Sequence, residues 1–245
     1  MLFRSDIANS IATLQEISNF RTGADRMQQG ILNFIVLGRL MLHPRGFRAD
    51  PAFGGIAFGD ELSYDGNSQG GIMGGALVAV SPDIRRGVLG VPGINYSLLL
   101  PRSVDFDLYE TVMRPAYPSA SDRLLLIALM QMLWDRGEGG GYAQHTTADG
   151  YPGTPPKKVL LHVALGDWQV TEIAAMVQAR AYGASKHAPL VRPGRSRERE
   201  PGWGIPDIAA YPFDGSALVF WDSGSDLVPL EPIPPSTGRS EEHTS

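Results

Sequence analysis

Cysteine is absent from all 245 residues. That excludes a disulfide framework, a thiolate metal site and a cysteine nucleophile. It leaves the compartment open, since reduced and oxidised environments both tolerate chains without thiols. A surplus of positive charge is missing as well: 21 Lys and Arg face 26 Asp and Glu, for a net charge of −5. Surfaces built to hold nucleic acid carry a basic stripe, so nucleic acid is not an expected partner. Long apolar runs are scarce. The longest, residues 31–42, contains Asn33, Gly38 and Arg39 and falls short of the roughly 20 apolar residues of a membrane span. The first apolar run is too short for a signal peptide and is followed by Asp6. No pair or triad of His, Asp and Glu has metal-ligand spacing, so no metal is expected.

What is present suits one soluble globular domain. Hydrophobic residues make up 43% of the chain and charged residues 19%, enough apolar material for a sizeable core.

The two ends read as foreign. Residues 239–245, Arg-Ser-Glu-Glu-His-Thr-Ser, are what the sequencing-adaptor string AGATCGGAAGAGCACACGTCT encodes. Leu2-Phe3-Arg4-Ser5 is what CTCTTCCGATCT encodes, and the two strings are reverse complements over their shared part. The expectation is a native segment cut from a longer protein, with residues 1–5 and 239–245 non-native.

Residues 7–20 have helical apolar spacing at Ile7, Ile11, Leu14 and Ile17. A second helix, capped by Thr22 or Asp25, runs to about Leu42. Residues 44–59 are rich in glycine and proline and read as loop. A short strand over 62–65 leads into Gly66-Asn67-Ser68-Gln69-Gly70-Gly71, and a helix of small residues follows over 72–80. Further strands are expected over 86–91, 159–165 and 217–221, with a helix over 170–182. Residues 95–156 form a long excursion containing a helical run, 123–134, and a flexible glycine loop, 137–141. Residues 186–204 read as a charged surface loop, and 229–235 as extended. Strands alternating with helices predict a mostly parallel α/β sheet.

One motif carries chemistry. Gly66-Asn67-Ser68-Gln69-Gly70 matches G-x-S-x-G, a pattern that chance alone would supply about 0.2–0.3 times in this composition. Its context is strand, sharp turn and helix, the setting of a nucleophile elbow. Such a turn strains the serine backbone. It also asks for bare α-carbons two residues before and after, here Gly66 and Gly70. The Ser68 hydroxyl would then sit at a helix N-terminus. The Gln69 N–H would aim at the oxyanion of an acyl-transfer intermediate.

The stretch Tyr64-Asp65-Gly66-Asn67-Ser68-Gln69-Gly70-Gly71 resembles the elbow of large bacterial α/β-hydrolases of the lipase/esterase-like kind. Residues 159–183 are similar to that family too, above all His162-Val163-Ala164-Leu165-Gly166-Asp167-Trp168-Gln169-Val170. The likeness covers about residues 25–221, and the elbow is its diagnostic part. It implies a partial α/β-hydrolase fold, a mostly parallel sheet flanked by helices, with a cap excursion after the third strand region. The hydrolase core would occupy 6–94 and 157–238, with the cap over 95–156. It implies a serine esterase with Ser68 as nucleophile, Asp167 as the acid that orients a histidine, and Gln69 in the oxyanion hole. The substrate would be a small-molecule or lipid ester, and no cofactor is required.

The base is the gap in this reading. His187 and His243 are the histidines that follow Asp167. His243 falls in the foreign tail, and His187 precedes the last strand, whereas the family places its histidine after that strand. The expected base therefore lies past Gly238, and this chain is expected to be inactive alone. His162 is expected to be a core or supporting histidine, and His145 a loop residue. Two other functions share the same residues: a peptidase or amidase with identical machinery, and a non-catalytic binding module on the same fold.

Overall fold

The computed structural model describes residues 4–230. Of the segments expected to be non-native, 1–5 and 239–245, residues 1–3 and 239–245 (with His243) lie outside the described residues, as does the end of the 229–235 segment.

Five parallel strands form one sheet: β1 (Leu62–Asn67), β2 (Ile84–Gly90), β3 (Lys158–Ala164), β4 (Ser185–Lys186) and β5 (Ala217–Trp221). Their spatial order is β1-β2-β3-β5-β4. Helix α3 (Gln69–Val80) links β1 to β2, and α8 (Glu172–Ala181) follows β3. The expected α/β architecture is therefore present. All five strands run the same way, so every strand C-terminus, with its following loop, lies at one edge of the sheet.

Helix α3 holds four glycines in twelve residues, Gly70, Gly71, Gly74 and Gly75. Each weakens a helix by about 1 kcal/mol relative to alanine. Close packing offsets that cost. A Cβ on Gly74 would lie 2.4 Å from the Tyr64 ring and 2.9 Å from Leu89. The bare stripe lets α3 sit directly on β1 and β2. Below it Leu89, Leu161 and Leu218 are wholly buried, each contributing about 1.5–3 kcal/mol by leaving water. At the opposite edge Lys157 is buried. Its ammonium donates to the Ser81 carbonyl and, at 2.6 Å, to the Ile84 carbonyl. It thereby closes the turn between α3 and β2.

The two faces of the sheet differ. Strand register places Ser63, Asp65 and Asn67 on one face with Arg86, His162, Val219 and Trp221. Of these, Ser63, Asp65, Asn67, Arg86, His162 and Trp221 are exposed. Gly90 and Ala164, which share this face, are buried.

The excursion leaves the sheet after β2, not after a third strand as expected, because residues before Leu62 add no strand to the sheet among the described residues. It comprises α4 (Tyr96–Leu99), α5 (Phe106–Ala116), α6 (Ala120–Trp134) and α7 (Ala143–Thr146). Together with α1 (Arg4–Gln15) and the start of α2 (Arg21–Leu42) it builds a second apolar cluster. That cluster joins Leu14, Phe20, Met113 and Trp134 to Ile72, Val91, Ala164 and Val170 at the C-terminal sheet edge. Residues 137–141, expected to be a flexible loop, are mostly an ordered turn against α3. A Cβ on Gly75 would lie 2.9 Å from the Gly139 α-carbon. Among the described residues, no helix is long and apolar enough to cross a membrane.

Candidate active site

Ser68 stands alone between the last residue of β1 and the first of α3. Its backbone adopts φ 57° and ψ −120°, a region a side-chain-bearing residue enters only where its surroundings force it. Two backbone bonds hold it there. The Ser68 N–H donates to the Gly90 carbonyl at 3.0 Å, and its carbonyl accepts from the Ile72 N–H at 3.0 Å. One side of the turn is therefore fixed to the end of β2 and the other to the first turn of α3. The side chain is half-buried and Gln69 beside it is exposed.

Steric demand around the turn falls on Gly66 and Gly71. A Cβ on Gly66 would sit 2.7 Å from the Gly70 carbonyl, and one on Gly71 2.3 Å from the Gly90 carbonyl. Gly70, expected to be as crowded as Gly66, would bring its Cβ only to 3.4 Å from the Tyr64 hydroxyl. The reason is Tyr64 itself. Its hydroxyl donates to the Gly70 carbonyl at 2.7 Å, bracing strand and helix apart by the width of a phenol. Burial holds that hydroxyl above the ordinary tyrosine range, so it stays a donor. Asn67 is exposed and covers Gly90, whose Cβ would lie 2.3 Å from the amide oxygen.

Asp167 lies three residues beyond β3, after Gly166 at φ 81°. β3 stands two strand spacings from β1, about 10 Å across the sheet, so both loops open at one edge. Asp167 is wholly buried. Its Oδ1 accepts from the Gln169 N–H at 2.8 Å and the Val170 N–H at 3.0 Å. These bonds fix the acid loop. The cap joins that loop: Val104 N–H donates to the Trp168 carbonyl at 3.0 Å, and the Gln169 amide reaches Asp105 at 3.1 Å. Sequence reasoning missed Glu172. Burial first, with Asp167 and Glu198 adding negative charge, lifts its carboxyl to about 7. Its only sequence signal was an acid in the first turn of an apolar helix.

No described histidine joins these residues. His187 follows β4, the far edge strand, four spacings or about 19 Å from β1. Its Nδ1 lies 2.5 Å from the Tyr211 hydroxyl. His162 is not a core residue: its ring is exposed on the open face, 5.3 Å from the Trp221 ring in an edge-on contact. His145 binds the Asp149 carbonyl at 2.6 Å and packs on Tyr151. His43 follows the C-terminus of α2, near the start of β1. The geometry thus brings Ser68, Gln69 and Asp167 to one edge and leaves His187 elsewhere. Among the described residues, no cluster of three metal-ligating side chains occurs.

Comparison with models of protein families, with curated proteins and with solved structures finds no match.

Proposed function

We propose that this chain carries the nucleophile and the acid of a serine hydrolase of the α/β-hydrolase class, acting on carboxylic esters. The observation that carries the reading is the strained backbone of Ser68, at a strand–helix junction on the same sheet edge as the buried Asp167. Strain of this kind persists where a site requires it. In the proposed reaction the Ser68 oxygen attacks the acyl carbonyl carbon and its proton passes to a histidine. The negative oxygen so formed faces the Gln69 N–H at the start of α3. Collapse expels the alcohol, which takes the proton from the histidine. Water then attacks the acyl-enzyme by the same route and releases the acid. Asp167 orients the histidine and stabilises its cation. In this reading the base is a histidine of the longer protein, past Gly238.

A fluorophosphonate probe tests this on the uninterrupted gene product. Ser68 is labelled, and Ser68→Ala abolishes labelling. Hydrolysis of p-nitrophenyl esters over matched anilides separates esterase from amidase. A second reading, a non-catalytic binding module, is favoured by the position of His187, the one described histidine after Asp167, on the edge strand farthest from β1. An unlabelled Ser68 in the intact protein selects that module and ends the hydrolase reading.

A further inference from the structure

After β5 the chain runs from the end of that strand to the acid loop. The Trp168 indole N–H donates to the Asp226 carbonyl at 2.9 Å. A Cβ on Gly166 would lie 2.6 Å from that same carbonyl, so the two segments touch. Four residues on, Arg102 Nη1 donates to the Leu230 carbonyl at 3.1 Å. Between these two ties, residues 227–230 line a cavity together with Leu165, Met176 and Phe220. Among the described residues, 227–230 make no backbone–backbone hydrogen bond. The loop at 191–201 lines the cavity too, but it is clamped by Arg195, which forks onto Asp222 and also donates to the Ser225 carbonyl at 2.8 Å. Residues 227–230 are therefore the wall most easily moved.

Glu172 lines the same cavity. The residue as a whole is half-buried, yet its Oε2 is buried with no hydrogen-bond partner among the described residues. The hydrogen bond that reaches the carboxyl comes from its own backbone N–H. Beside it the Thr171 hydroxyl is also buried without a partner among the described residues. A neutral carboxyl tolerates such a place. A carboxylate does not, because a buried charge short of donors must gain water or a cation. The cavity offers about 30 Å³, room for about two waters. The charges that face the carboxyl come from three sides. Asp167 and Glu198 repel it, and Arg102 attracts it. Arg197 lines the same cavity, β5 brings no charged residue, and Asp226 of the moving segment is exposed and faces Arg195.

We propose that residues 226–230 form a strap that is seated while Glu172 is protonated and lifts when Glu172 ionises. The proton leaves to solvent. The carboxylate then draws Arg102 away from the Leu230 carbonyl and admits water past 227–230. Burial, with Asp167 and Glu198, places this change near neutral pH. Because the strap is tied to Trp168, the residue after Asp167, its lifting loosens the acid loop. The device stands whether or not Ser68 is a nucleophile.

The chain has no cysteine, so Val228→Cys puts a single thiol on the strap of the full chain. Its rate of reaction with methyl methanethiosulfonate is divided by the rate in urea at the same pH, which cancels the thiol's own titration. A group at about 7 in the seated strap and at 4.5 when released holds the strap at low pH and loses that hold as pH rises through 7. The ratio should therefore rise about 10-fold from pH 6 to pH 8 and then level off. With Glu172→Gln added it should keep its pH 6 value throughout, whereas Glu138→Gln, a control carboxyl on another part of the fold, should leave the rise intact. A flat ratio with Glu172 in place overturns the proposal without any further variant. So does an equal rise in Glu172→Gln, or a rise abolished by Glu138→Gln. If Glu172→Gln folds poorly by circular dichroism, Glu172→Met takes its place. If the thiol at 228 already reacts at pH 6 as fast as in urea, Leu227→Cys repeats the measurement, and the same result there also overturns the strap.

Discussion

On one face of the sheet Leu89, Leu161 and Leu218 are sealed beneath α3 and α8, while on the other Asp65, Arg86, His162 and Trp221 meet solvent. Neighbouring residues of a single strand thus live under different rules. Residues 160 and 161 are both leucine, yet Leu161 is wholly buried and Leu160 only partly so. On the sealed face a methyl group too many has nowhere to go. On the open face side chains are set by solvent and by one another. All-parallel sheets are usually covered on both sides, so the contrast separates residues that specify the fold from those awaiting another role. The turn at Ser68 belongs to the first set, because Gly66, Gly74 and Tyr64 lie against the sealed face.

The sharpest way to break the contrast is to overfill the sealed face. Gly74→Val drives methyl groups into Tyr64 and Leu89 and is expected to cost about 3–5 kcal/mol in urea unfolding, at the upper end for overpacking. Emptying it is next. Leu161→Ala should cost about 3–4 kcal/mol and Leu160→Ala under about 1.5; equal losses would show that the faces are not distinct.

A third expectation concerns the buried carboxyl of Glu138, lifted to about 7 by burial. Between its ordinary value and 7 the folded protein holds a proton that the unfolded chain has released. The carboxyl therefore adds full stability below about pH 4.5 and loses it as pH rises through 7. Unfolding titrations should show wild type losing about 2–3 kcal/mol across that window from this group, with Glu138→Gln lacking that loss. Glu172, lifted for the same reason, leaves a residual slope in the variant. The smallest effect belongs to the open face: His162→Ala should change stability by less than about 0.5 kcal/mol, and a large loss would mean that this face is covered in solution.

Local chemistry made much of this legible. The strand at 217–221 has the expected bounds, and the strands at 62, 84 and 158 begin within two residues of them, because apolar runs and flanking glycines mark them directly. The turn at Ser68 was readable because strand, glycines and helix all fall within residues 62–80. What stayed hidden depends on distant partners. β4 is two residues long and exists only through β5. The glycine run at 137–141 reads as mobile until Gly75 and Tyr182 pack on it. Helix α5 carries Pro115 in its last turn, a breaker signal that masked its apolar face. Tyr64 looks like an ordinary core aromatic. Its hydroxyl acquires meaning only when the Gly70 carbonyl is placed opposite it.

The Lys157 ammonium has a consequence for how the chain comes off the ribosome. The carbonyls it satisfies belong to residues 81 and 84, made 76 and 73 positions earlier. At translation rates of about 5–20 residues per second, the first βαβ unit waits roughly 4–15 seconds for the lysine that completes its turn. During that interval the newborn unit has its β1–β2 pairing and its glycine-lined contacts but not the two bonds that Lys157 adds.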